Sequence, residues 1–358
     1  MTTYFPARIL VTIASISLFV FGCANRDQKH LSYTAISDSS FSKLAVTPEL
    51  LVDNITFKSP TKLLFLNDVL IVADLENSDG KVVIYDPYKK KYLGSYLEYG
   101  VGEGKVLGIW EMFAGINGRD FFIYDLTQGK IIRLNIDSLK SQNYKYSEEI
   151  DFAEFPELKN IVSIEQYSED LFVGTIMDGN GRLVYFDGDG REFYKGNLPP
   201  NFEQSSDYIY GHAYRAFLAR EGNRVAVAYF FTDILDIFTI EGDSITSIHG
   251  PFGFWPEYRV ISRGGGESLA AAKGTNVAYV SVTCDEKFIY GVYSGGDQGN
   301  NYILSFTWDG QPWIKYDVMN YNLSAIAIDK ARNIMFGISF SGDKPEIVWC
   351  DLGAGSET

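Results

Sequence analysis

A chain of 358 residues with 46 acidic against 31 basic side chains carries a formal net charge of −15. It lacks the Lys/Arg footprint that neutralises phosphates, which excludes nucleic acid as a partner, and it offers no basic patch to an anionic membrane surface. Its 46% hydrophobic and 15% aromatic content is ample for a large core, so a disordered chain is excluded too, and three cysteines are too few for a disulfide scaffold.

The first element is an export signal. Arg8 forms a weak charged region, Ile9–Phe21 is an apolar run of 13 residues, and small Gly22 precedes Cys23. A helix needs roughly 20 residues to cross a hydrocarbon core, so residues 1–22 read as a cleavable signal peptide rather than a transmembrane anchor. Val20-Phe21-Gly22-Cys23 resembles the bacterial lipobox, which implies cleavage before Cys23 and acylation of its sulfur. The membrane is then a partner through the lipid anchor at Cys23 alone. Ala24, rather than Asp, follows the cysteine; by resemblance to enteric sorting rules this favours an outer-membrane lipoprotein, periplasmic or surface-facing. Residues 23–43, rich in Ser and poor in apolar side chains, read as a tether.

From residue 44 the chain is organised by turns. Short polar pairs separate apolar, β-branched or aromatic runs, the mark of a hairpin. They are Asn67-Asp68, Asn117-Gly118, Glu169-Asp170, Gly222-Asn223, Asp285-Glu286 and Ala331-Arg332. Their mean spacing is about 53 residues, and each hairpin is followed by a third apolar run, such as Val82–Tyr85 or Ile234–Phe238. Five of the six also have a fourth. Four strands per unit at a constant period predict an all-β fold, a six-bladed β-propeller with four-stranded blades over residues 44–358. A pair of tandem β-sandwiches is the rival, but it has no reason to keep one period. The sixth unit stops after three strands, so the apolar segment Leu44–Phe57 is expected to supply its fourth strand and close the ring.

Leu70-Ile71-Val72-Ala73-Asp74 with Lys81-Val82-Val83-Ile84-Tyr85-Asp86 resembles one blade of the NHL-like and TolB-like propellers, and Tyr99–Gly104 is similar to the Gly-rich interblade loop of the TolB-like six-blade lipoproteins. The resemblance covers residues 44 to 352 and implies a fold; it carries over no catalytic residue. Gly174, Tyr229, Gly291 and Gly337 stand in later blades where Asp74 would recur.

In a propeller the loops between strands one and two, and three and four, lie on one face, and the remaining connections on the other. The first face has short turns; the second receives Tyr99–Gly108, Asn197–Arg215, His249–Asn276 and Gly295–Asn301. Long loops in compact domains are usually functional. Two of these hold the candidate ligand-binding residues: Asp207, Tyr210, His212, Tyr214 and Arg215, then Phe252, Trp255, Glu257 and Arg259. Aromatic planes beside carboxylates and Arg suit a glycan or a peptide, through stacking and bidentate hydrogen bonds; the same aromatics could instead pack the loops onto the ring.

Catalytic signals are thin. His212 and His249 lack metal-ligand spacing, and Gly337-Ile338-Ser339-Phe340-Ser341 lacks the final Gly of a nucleophile elbow. The expected function is an envelope binding module taking a glycan, a peptide or an envelope protein, with no catalytic residue and no cofactor. The alternative is a hydrolase resembling the calcium-dependent lactonase propellers, which would need acids converging from the innermost strands; Glu111 and Glu165 are the exceptions in otherwise apolar runs.

Overall fold

The computed structural model describes residues 32–51, 57–141, 148–151, 155, 158, 160–177, 181–190, 192–196, 199, 206–263, 266–271, 274–294, 301–340 and 344–353. The signal peptide, Cys23 and the first part of the expected tether lie outside these residues. Six antiparallel sheets form a ring. Their innermost strands are Pro60–Leu66, Glu111–Ala114, Ile161–Gln166, Ala216–Glu221, Tyr279–Cys284 and Leu323–Asp329, for blades 1 to 6 in turn. Each adjoins the next, and the last adjoins the first.

Second strands such as Val69–Asp74 and Asp120–Asp125 are buried at every position. Both faces of each sheet meet a neighbouring blade, which is why these strands read as continuous apolar runs rather than an alternation. The core is accordingly divided into interblade layers. Ile71 and Ile84 of blade 1 pack with Ile123 and Ile132 of blade 2, and Phe122 of blade 2 packs with Phe172 and Val184 of blade 3. The hairpin turns follow from their residues. Asn67 and Asp68 have φ of 51° and 61°, the left-handed pair of a tight hairpin that Asn and Asp tolerate.

The ring closes as the sequence predicts. Glu49–Leu50 pairs antiparallel with Glu346–Asp351, with Glu49 opposite Trp349 and Leu50 opposite Val348, and forms the fourth strand of blade 6. The span expected to be a tether is different from residue 34 onward. Thr34–Ala35 adds a parallel fifth strand outside blade 4, and Ser42–Ala45 does the same outside blade 5. This belt passes along blades 4, 5 and 6 in succession and covers three sheet edges. Its anchors enter the interblade layers: Tyr33 packs between blades 3 and 4, Phe41 against Phe306 between 4 and 5, and Val46 between 5 and 6. Burying Phe41 alone contributes roughly 2 kcal/mol. Asp38 accepts from both Lys43 and Lys315, at 2.6 Å each, and fastens the belt to blade 5.

The two faces differ in their connections. The long-connection face carries the helix Asp207–Ala213 and a hairpin of Tyr258–Arg263 with Gly266–Ala271. On the short-turn face one connection is longer than expected: between strands three and four of blade 2 lies a helix, Ile136–Lys140, capped by Asn135.

Candidate functional site

The innermost strands of all six blades line a cavity of about 760 Å³ in the central channel. It reaches the short-turn face, because Asn67, Asp68, Gly118, Gly222 and Lys330 belong to its lining. Its lower wall is a hydrogen-bonded chain running across four blades. Lys62 of blade 1 lies 3.2 Å from Glu111 of blade 2; Ser163 of blade 3 donates to Glu111 at 3.2 Å, and the Leu218 amide of blade 4 donates to Ser163 at 3.1 Å. Two residues further along their strands stand Glu165 and Arg220, which also line the cavity. Exclusion of water from the Glu165 carboxyl, and then the charge of Glu111, hold it well above the usual carboxylate range, although Arg220 and Lys330 act in the opposite direction.

Above these groups a salt bridge crosses the mouth. Lys330 of blade 6 bonds Glu221 of blade 4 and lies 3.9 Å from Glu286 of blade 5. On the far side of the rim Arg332 bonds Asp68 at 2.8 Å and Asp329 at 2.7 Å and lies over the Tyr88 ring. Cys284 is in the lining as well, but burial, and then Glu165, push its thiol well up, which makes it a poor nucleophile. Cys284 and Cys350 are both free and buried.

The long-connection face gathers part of the predicted set. The helix Asp207–Ala213 lies beside the strand Gly266–Ala271, so the two candidate loops do meet. Tyr214 is buried and packs edge-on against Tyr229, and Trp255 joins the same cluster. Trp255 also sits 4.4 Å from the His249 ring and 5.7 Å from Tyr33. Arg215 stacks on Phe230 with its guanidinium 3.8 Å from the ring centre. His212 is half-buried, and burial, then Arg215, lowers its pKa, so it stays neutral near pH 7. Phe252 is 56% exposed over Tyr293, and Glu257 and Arg259 are exposed. Asp207 and Tyr210 stand on the helix, but their side chains lie outside the described residues.

Buried carboxylates hold the connections of this face. Asp74 accepts from the Lys58 and Ser59 amides, and Asp125 from those of Leu107 and Gly108. Asp233 accepts from the Phe252 and Gly253 amides at 2.8 Å each, from the Tyr293 hydroxyl at 3.2 Å, and pairs with His249. In blade 5 the register puts Tyr293, opposite Tyr279, where Asp74 stands opposite Pro60 in blade 1, so the sequence equivalence of Gly291 with Asp74 is off by two residues; a Cβ at Gly291 would come within 2.6 Å of the Tyr279 ring.

A calcium site does not fit the channel acids. Both Glu111 oxygens are engaged by Lys62, Ser163 and the Met112 amide, and among the described residues no three His, Cys, Asp or Glu converge as metal ligands. Among those residues, too, no helix is long and apolar enough to cross a membrane.

The family model described as TolB-like 6-blade propeller-like matches residues 39–330. Among solved structures, the fold is similar to that of a DUF4221-family member from Bacteroides vulgatus, at 10% identity and a TM-score of 0.59, covering 85% of this chain and 95% of that one. It is also similar to a protein of Bacteroides fragilis described as exported, at 12% identity and a TM-score of 0.52, covering 88% and 99%. At these identities the likeness is one of fold. No curated protein matches the sequence.

Proposed function

This chain belongs to the TolB-like six-blade propeller family, and from that premise we propose that it is a ligand-binding module of the cell envelope, anchored by acyl chains on Cys23. The channel cavity carries this reading. Its volume lies within the roughly 300–1,000 Å³ of small-molecule sites, and charged and hydroxyl side chains, Lys62, Glu111, Ser163, Glu165 and Arg220 among them, converge on it between apolar strand residues. Ser163, which donates to the Glu111 carboxylate, is buried and also accepts from the Leu218 amide, and the Cys284 thiol is pushed well up, which favours holding a ligand over cleaving one. Export fits the signal-like residues 1–22 and the description of the Bacteroides fragilis relative.

A second reading is the long-connection face, where a glycan or peptide would meet Phe252, Glu257 and Arg259 beside the helix bearing Asp207, Tyr210 and His212. The exposure of Phe252 favours it. On either reading Trp255, Tyr214 and Arg215 act as supports.

A metabolite and oligosaccharide collection tested by thermal shift, with stabilising compounds mapped by amide NMR, separates the two. A native-state ligand raises the melting temperature. The channel reading expects shifts around Lys62, Ser163 and Ala325; shifts confined to residues 252–259 would overturn it in favour of the loops. For the anchor, Cys23→Ala should move the protein from the membrane fraction to the soluble one, and unchanged fractionation would remove the lipid.

A further inference from the structure

We infer that the channel binds a small organic acid, with the guanidinium of Arg220 receiving its carboxylate beneath the Lys330–Glu221 bridge. This rests on the channel reading above and names the ligand's chemistry.

The argument begins with charge matching. Around the channel Lys62 is matched by Glu111, Lys330 by Glu221, and Arg332 by Asp68 and Asp329. Arg220 has no such partner among the described residues: it enters no ion pair, and its buried Nε finds no hydrogen-bond acceptor. A guanidinium cannot discharge itself by losing a proton, and although Arg220 as a whole is only partly buried, its Nε is cut off from water without an acceptor, which is costly. A carboxylate, which a guanidinium grips with two parallel hydrogen bonds, resolves that cost.

The nearest acid does not take this role. Glu165 stands at the corresponding level of the adjacent blade and feels the charge of Arg220, but it forms no salt bridge with it, and burial and Glu111 disfavour its ionisation. A ligand carboxylate would thus meet one guanidinium beside an acid whose own charge is disfavoured.

The rest of the lining describes the body of the ligand. Ser324 Oγ is buried without a partner, and Thr61, Ser281 and Thr283 place further hydroxyls on the wall among Leu63, Val282 and other apolar residues. A body with some hydroxyl groups and some apolar surface satisfies both. The rim argues for a single negative charge. Asp68, Glu221, Glu286 and Asp329 surround the mouth on a chain of net charge −15, a field that repels a phosphate dianion more than a monocarboxylate.

The test uses the full chain labelled with ¹⁵N-arginine, with the Nε–Hε signal of Arg220 assigned by its loss in Arg220→Lys. Probes are gluconate and hexanoate, their neutral amides, and inorganic phosphate. At least one carboxylate should shift the Arg220 signal saturably and bind about tenfold or more tightly than its amide. Arg220→Gln should abolish that preference at an unchanged melting temperature; if Arg220→Gln fails to fold, Arg220→Lys should weaken it by losing the two-pronged grip. If the amides shift channel signals as strongly as the acids, the channel reading stands and the carboxylate falls. Tighter binding of phosphate than of either carboxylate overturns the inference in favour of a phosphoryl ligand. If no probe moves any channel signal up to about 10 mM, both are overturned.

Discussion

The two ends of the ring put their polar groups to different uses. At the long-connection end polar side chains hold the loops, although Arg215 Nε and the Tyr229 and Tyr279 hydroxyls stay buried without partners. Asp233 is fully buried, yet two amides, a hydroxyl and an imidazole surround it, and Trp255 and Tyr214 are consumed in packing against Tyr33, His249 and Tyr229. In the channel, which reaches the short-turn end, Arg220 and Ser324 keep buried polar atoms without protein partners. An unsatisfied buried group costs free energy, and such groups persist in native structures where function asks for them. The polar groups of the long-connection end thus serve chiefly to hold loops, whereas Arg220 and Ser324 border a cavity that a ligand can enter.

Paired substitutions put the largest strain on that contrast. Asp233→Ala would strand the buried Tyr293 hydroxyl and the half-buried His249 ring and deprive the Phe252 and Gly253 amides of their acceptor. The expected loss is about 3–5 kcal/mol in denaturant melts. Glu165→Gln in the channel replaces a carboxyl whose ionisation burial disfavours by a neutral side chain of the same shape, so it should cost under about 1 kcal/mol at neutral pH. Equal losses for the two variants would dissolve the distinction between the ends.

The same contrast decides what could be read from the sequence. The blades were legible because strands buried on both faces are uniformly apolar and their turns use Asn, Asp and Gly, as in Leu63–Ala73. The closing strand at Glu49–Leu50 was legible as an apolar segment left without a place. The belt was not. Ser42–Ala45 is exposed along its length and joins blade 5 through backbone bonds, which leave no hydrophobic pattern. Glu111 and Glu165 stood out as acids in apolar strands, and their position in the channel follows from the fold. Arg220 did not stand out, because its isolation is a relation between blades. Knowing that Lys62 meets Glu111 and Lys330 meets Glu221 requires the lateral register of strands some 50 to 110 residues apart, and no local pattern encodes it. The aromatic loop residues were conspicuous for the opposite reason: composition displays them whether they bind or merely pack.

The smallest expected effect concerns pH at the long-connection end. Burial disfavours charge on His249, but its bonds to Asp233 and to the Phe254 carbonyl outweigh that, so its folded-state pKa is raised above the ordinary 6.5. A raised histidine contributes stability that is fully present below the unfolded-state pKa and is lost as pH climbs through the folded one. His212 is shifted down and gives the opposite slope in the same range, and Glu165, shifted up, adds a decline of its own as pH rises. The informative quantity is therefore the difference between the wild type and His249→Gln, a side chain that keeps a donor toward Phe254. Melts from about pH 5 to pH 9 should show the wild type ahead by roughly 1–2 kcal/mol on the acid side and the two curves converging toward the alkaline side. A gap that stays constant with pH would mean that His249 acts only as a ring packed on Trp255, and one that widens with pH would show that the imidazole is held neutral beside Asp233.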